Sequence, residues 1–166
     1  ESFINRLNFE LANDLGNLLN RTVAMMNKYF EGQIPVAREG AEATEFDAVF
    51  EAFVLAEIKA FHEAMDDLSF NQALDHVMNI VSRANKYIDE TAPWALAKDE
   101  EKKARLGTVL YNLLEGIRFT AVLLSPFMPE TAQKIFEQIN TDVTSYDSLE
   151  NFGGLKVGTK VGTATP

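Results

Sequence analysis

The 166-residue chain has no cysteine. That excludes a disulfide framework and a thiolate metal site. Histidine is nearly absent, with His62 and His76 alone. A di-metal helical bundle needs Glu three residues before a ligand histidine, but Lys59 and Ala73 hold those positions. No phosphate-loop or dinucleotide glycine pattern occurs, and no Gly-x-Ser-x-Gly elbow. No apolar run approaches the roughly 20 residues of a membrane span. The first residues lack the basic-then-apolar order of a signal peptide. Most carboxylates read as surface charge, so no catalytic residue and no metal ligand is assigned. A cytosolic, membrane-free setting fits.

Positive charge is also scarce. The formal net charge is −10, whereas a generic nucleic-acid binder is basic. The acid is local, however. Residues 39–67 hold nine acids against one lysine, a net of −8. The remaining surface is near neutral, so an RNA contact elsewhere would rely on stacking and hydrogen bonds rather than on a broad field. The length suits one domain, or one domain with a tail, and is enough to bury a core. The chain opens at Glu1-Ser2-Phe3-Ile4, already inside a helical pattern, as expected of a piece of a longer protein.

What is present is helical periodicity. Ile4, Leu7, Leu11, Leu15, Leu18 and Leu19 recur at helical spacing from about Phe3, and the series reaches Phe30. Gly32 and Pro35 are the stop signals. The opposite face carries Asn5, Asn8, Asn13, Asn17, Asn20 and Asn27. Asn13, Asn17 and Arg21 fall at i, i+4 and i+8, on one ridge. After a loop over 33–42, a second helix is expected over about 44–68, with an apolar stripe of Phe46, Val49, Phe50, Phe53, Phe61, Met65 and Leu68 and a solvated acidic face. Ser69 and Gln72 suggest a capping box. A third helix follows to about Glu90, with a stripe from Phe70 to Ile88. A fourth opens at Asp99-Glu100-Glu101 and stops at Ser125-Pro126; a fifth starts at Pro129. The predicted fold is all-α, an antiparallel bundle of five helices over residues 1–140 with an extended tail over 141–166. In that tail Leu155, Val157, Thr159 and Val161 alternate, so a short strand or a strap is expected.

Between the third and fourth helices lies Asn85-Lys-Tyr-Ile-Asp-Glu-Thr-Ala-Pro-Trp-Ala-Leu-Ala-Lys98. Pro93 interrupts the period, so the only tryptophan, Trp94, sits at a stiff corner. Two readings stand open from the residues alone. Either the indole plugs the end of the core, or it is a platform for something flat.

This segment and Asn13-Asp-Leu-Gly-Asn-Leu-Leu-Asn-Arg-Thr22, continuing to Asn27-Lys-Tyr-Phe-Glu-Gly32, together resemble the anticodon-binding helical bundle of bacterial methionyl-tRNA synthetases. Gly153-Gly-Leu-Lys-Val-Gly-Thr-Lys-Val161 resembles the extended peptide that follows the bundle. The resemblance implies that Asn17 and Arg21 hydrogen-bond bases of the CAU anticodon of methionine tRNA. It implies that the first anticodon base stacks on Trp94, braced by Pro93. Asn13, Lys28, Asn85, Lys86 and Lys98 are lesser candidates, polar and close in sequence to the site. It implies partners in methionine tRNA and the parent's catalytic domain, not DNA. Ligation with ATP and magnesium, and zinc in some relatives, belongs to regions outside this chain. The His-x-Gly-His and Lys-Met-Ser-Lys-Ser signatures do not occur here, so the fragment is expected to be inactive alone and to hold no cofactor. The Asn-Asp-Leu-Gly-Asn portion is shared by cysteine, isoleucine and valine synthetases, which keeps a related synthetase module as an alternative. A helical scaffold docking a basic partner on the acidic second helix is another.

Overall fold

The computed structural model describes residues 2–35 and 45–162, with side chains from residue 9 onward. Expectations for the side chains of Ile4, Asn5, Leu7 and Asn8, and for the loop and helix start over 36–44, lie outside the described residues. The elements are α1 (Ser2–Phe30), α2 (Glu45–Asp66), α3 (Phe70–Thr91), the single turn α4 (Pro93–Leu96), α5 (Lys103–Leu124) and α6 (Pro129–Ile139). The bundle thus has five helices of three or more turns, as the periodicity predicts. Among the described residues there is no strand, only an isolated bridge between Gln33 and Lys160. No described helix is long and apolar enough to cross a membrane.

Helix α5 is the axis. Every residue from Arg105 to Leu124 is buried, and α1, α2, α3 and α6 pack around it. Gly116 lets α2 approach: a Cβ there would lie 2.9 Å from the Phe50 ring. Phe50 in turn stacks on Tyr87 of α3, with ring centroids 4.6 Å apart, and meets Phe152 of the tail edge-on. Aromatic pairs of this kind add to the hydrophobic burial they bring.

A helix buried on all sides must pair its charges, because an isolated buried charge is very unfavourable. Arg105 forms a two-pronged pair with Asp47 of α2, one prong at 2.9 Å. The Tyr87 hydroxyl donates to the same carboxylate at 2.6 Å, and the Asn112 amide donates to that hydroxyl at 3.1 Å. Burial, reinforced by the Asp47 charge, pushes the Tyr87 hydroxyl well above its ordinary pKa. One turn further along, Glu115 and Arg118 form an ion pair with both side chains at 0% exposure.

That second pair holds the tail. Glu115 accepts from the backbone N–H groups of Gly153 and Gly154, each at 2.6 Å. Arg118 donates to the Val143 carbonyl and the Ser148 hydroxyl. Further bonds join the Tyr111 hydroxyl to the Leu155 carbonyl, and the Val161 N–H to the Gly32 carbonyl. Residues 142–162 form an irregular strap with one 3-10 turn at Tyr146–Ser148; of the two expected forms, strand or strap, the strand is not formed. Leu155 and Val161 are buried, but Val157 is exposed, so the alternation does not map onto one face.

Three further expectations need correction. The stripe of α2 is Phe50, Val54, Ile58, Phe61 and Ala64. Phe46, Val49 and Leu68 are exposed, Val49 by 51% and Leu68 by 74%, and so is Phe70 of α3. The helix carries two apolar series, and contact with α3 and α5 selects one. Ser69 stands at the N-cap of α3, but its side chain makes no capping bond. Leu68 before it is left-handed, with φ 59°. Finally, the acidic face of α2 is not all solvated: Asp47 is buried, and Glu57 bonds Asn79 and faces His76.

Removing one member of a buried ion pair strands the other. Arg118→Met should therefore lower unfolding free energy by about 3–5 kcal/mol in urea titration. Gly154→Ala should release the strap by a steric route, because its Cβ would lie 2.5 Å from the Arg118 guanidinium. Proteolysis in the 142–162 segment should rise in both variants.

Candidate nucleic-acid interface

The corner is built from a local conflict. Proline disfavours the right-handed helical shape in the residue before it. Ala92 resolves this by adopting the left-handed conformation, φ 46° and ψ 65°, which closes α3. Its N–H still bonds the Ile88 carbonyl at 2.8 Å. Pro93 then starts a new turn at the first helical position, where a missing N–H is harmless. The Ala95 and Leu96 N–H groups bond the Ala92 carbonyl, and Ala97 bonds that of Pro93. Asp99 caps the next turn by accepting from the Glu101 N–H at 3.0 Å. The corner is thus a hydrogen-bonded single turn of helix, placed where the sequence suggests a stiff corner between helices.

Pro93 is buried and Trp94 is 47% exposed. The indole makes no ring contact among the described residues, so it does not plug the core. It stands on the surface with its proline neighbour rooted below.

The α1 ridge lies beside the helix that leads to this corner. Asn13, Asn17 and Arg21 are all exposed. Arg21 Nη1 donates to Asn85 Oδ1 at 3.3 Å, and Asn85 Nδ2 donates back to the Val81 carbonyl at 3.2 Å. Further along, Lys28 and Tyr29 share a cavity with Leu96 and Ala97. Both landmarks advance in the same sense, so α1 and α3 run parallel, and the ridge points toward the corner. Asn17 and Asn13 make no side-chain hydrogen bond among the described residues. Their amides are open to solvent.

Other residues part company. Lys86 lines a groove with Phe53 and Asn79, on the α2 side of α3 and away from Arg21. Asn27, on the asparagine face, is structural: its amide donates to the Val23 and Gly162 carbonyls, both at 3.1 Å. Lys98 is exposed at the end of the corner. Sequence reasoning left out Tyr29, Glu100 and Lys103, which line the cavity of about 170 Å³ beside Lys28. Spacing gives no signal for them, because three separate elements meet there.

A family profile described as the anticodon binding domain of methionyl tRNA ligase matches residues 36–164. The chain belongs to this family. The methionine–tRNA ligase of Bacillus subtilis is 50% identical over 169 residues, covering 100% of this chain and 25% of the relative. That of Lactococcus lactis is 56% identical over 151 residues, covering 91% of the chain and 22% of the relative. The chain spans about a quarter of the length of such curated relatives. Among solved structures, Mycobacterium tuberculosis methionyl-tRNA synthetase bound by methionyl-adenylate superposes with a TM-score of 0.84 at 30% identity. That match covers 99% of this chain and 32% of the other.

Within this anticodon-binding domain the only tryptophan reports on one place. Its fluorescence in the folded domain should be quenched readily by acrylamide, as for a half-exposed indole. Quenching as weak as that of a sealed core tryptophan would contradict the exposure. A β-branched side chain at Ala92 cannot hold positive φ without strain. Ala92→Val should therefore destabilise the domain by about 1–3 kcal/mol and change the Trp94 emission.

Proposed function

We propose that this domain binds the anticodon loop of methionine tRNA and reads CAU, anchoring a methionine–tRNA ligase on its substrate. The observation that carries the reading is Trp94, exposed on a turn whose proline is buried. Single-stranded loops are recognised by splaying bases onto aromatic faces and bonding their edges. Trp94 takes the first anticodon base, and Pro93 keeps the ring in place. Asn17 supplies an adjacent donor and acceptor, and Arg21 a planar fork held by Asn85. The bonded turn lowers the entropy lost when a base stacks. Residues 1–140 form the RNA-contacting unit and 141–166 the strap that locks it.

Joining methionine to tRNA with ATP falls to the parent's catalytic part, in the cytoplasm. This chain lacks the signatures for that chemistry. A scaffold reading based on α2 is weakened because Asp47, Glu51 and Glu57 are engaged within the domain.

The test is binding of anticodon stem-loops to the full-length ligase built on this chain. Trp94→Ala should weaken binding of the CAU loop by about 1–3 kcal/mol. Arg21→Lys should weaken it too, because a point charge does not replace a fork. Equal affinity for CAU and for a loop with a changed first base, or wild-type binding by Trp94→Ala, would overturn the reading.

A further inference from the structure

Helix α2 turns an apolar face away from the domain. Its buried side, from Phe50 to Ala64, lies against α3 and α5. On the outer side Val49 is 51% exposed and Phe46 38%. Ala48, Ala52 and Ala56 are exposed with them, and half-buried Phe53 lines the groove toward α3. The acids of this stretch do not cover the face, because Asp47, Glu51 and Glu57 bond Arg105, the Phe152 N–H and Asn79. From Ala48 to Ala56 the outermost ridge therefore carries no polar side chain. A surface helix normally keeps its outer face charged or polar. A contiguous apolar face in its place marks a contact surface.

The two ends of the ridge carry opposite charges. Glu45 and Lys59 are both exposed, and neither has a hydrogen bond or ion pair among the described residues. Each lies seven residues from Ala52, one on either side. Ala48 and Ala56 each lie four residues from it. The ridge is thus symmetric in shape about Ala52 and opposite in charge across it. Such a ridge is complementary to itself when a second copy is turned end for end.

We propose that α2 pairs with α2 of a second copy of this chain, antiparallel about a two-fold axis at Ala52. A two-fold contact uses the same patch on both copies. Ala52 then faces the partner's Ala52, Ala48 faces the partner's Ala56, and Glu45 faces the partner's Lys59 at both ends. The alanines let the helices approach closely, with Val49 packed beside them. Phe53 lies one residue past the axis, so the two rings meet on the α3 flank. A parallel pair would set Glu45 against Glu45 and Lys59 against Lys59, so charge fixes the direction. An unrelated acidic or basic partner would satisfy only one end of the ridge. The net charge of −10 opposes association, but at physiological salt such fields are screened beyond about 8 Å. The charges at the contact then decide. A single helix face is a small interface, so the dimer is weak and depends on concentration.

The experiment is sedimentation equilibrium of the full 166-residue chain, at concentrations rising to the millimolar range. It should show a reversible equilibrium between monomer and dimer. Ala52→Glu sets two like charges on the axis and should abolish dimerisation. Glu45→Lys alone, or Lys59→Glu alone, turns two attractive pairs into repulsive ones and should weaken the dimer about 5-fold or more. The variant with both changes restores opposite signs and should dimerise like wild type. All three positions are exposed, so each variant should keep the helical circular dichroism of the parent. A chain that stays monomeric throughout, a dimer indifferent to Ala52→Glu, or a double variant as weak as the single ones would overturn the proposal.

Discussion

The structure depends on pairing charges along a helix that water does not reach. Helix α5 brings Arg105, Glu115 and Arg118 into the interior. Such groups are tolerated only when each finds an opposite charge and enough hydrogen bonds. Arg105 finds Asp47, which fixes α2 against α5 and draws in Tyr87 and Asn112. Glu115 and Arg118 find each other, yet their remaining hydrogen-bonding capacity needs partners. The strap supplies them with bare backbone groups at Gly153, Gly154 and Val143. Two pairs on one helix therefore explain why α2 and the tail dock where they do.

The same packing presents the candidate interface. Tyr87 is tied into the Arg105 network, and α3 ends one turn later at the left-handed Ala92. The end of α3 is thus held from inside while the next turn is directed outward by Pro93. Trp94 inherits rigidity from both without being buried. On the α1 side, the Arg21–Asn85 bond registers one helix against the other. The proposed RNA contact then needs little rearrangement, since its parts sit on helices braced by the core.

Charge is arranged consistently with this. The acid concentrated over residues 39–67 lies largely on α2, which packs against α3 and α5, while α1 lies against other parts of those helices. Some of that acid is consumed internally. Arg21, Lys28 and Lys103 belong to the α1 side and the start of α5, where Asp99 and Glu100 also stand, so the surface near the corner is of mixed sign rather than uniformly acidic.

Much of the helical outline was legible because its signals are local. Gly32 and Asn140 both adopt positive φ where a helix closes, and Pro93 and Pro129 both open one. The apolar residues of α5 and α6 lie in the core as their spacing predicts. The α2 stripe was not legible, because a helix with two apolar series leaves the choice to its neighbours. The tail was legible as a choice between two forms: alternating Leu155 to Val161 allows a strand or a strap, and only a few backbone bonds to Gly32 and Ile34 form, while Glu115 and Arg118 supply much of the remaining anchoring. Composition likewise left the depth of Trp94 open.

The chain by itself determined where helices start and stop, since backbone angles and missing donors act over a few residues. Tertiary structure decided which faces are buried, which asparagines brace the strap, and that Tyr29 and Lys103 share one cavity with Leu96 and Ala97. Those outcomes depend on contacts between elements distant in sequence, and no local propensity encodes them.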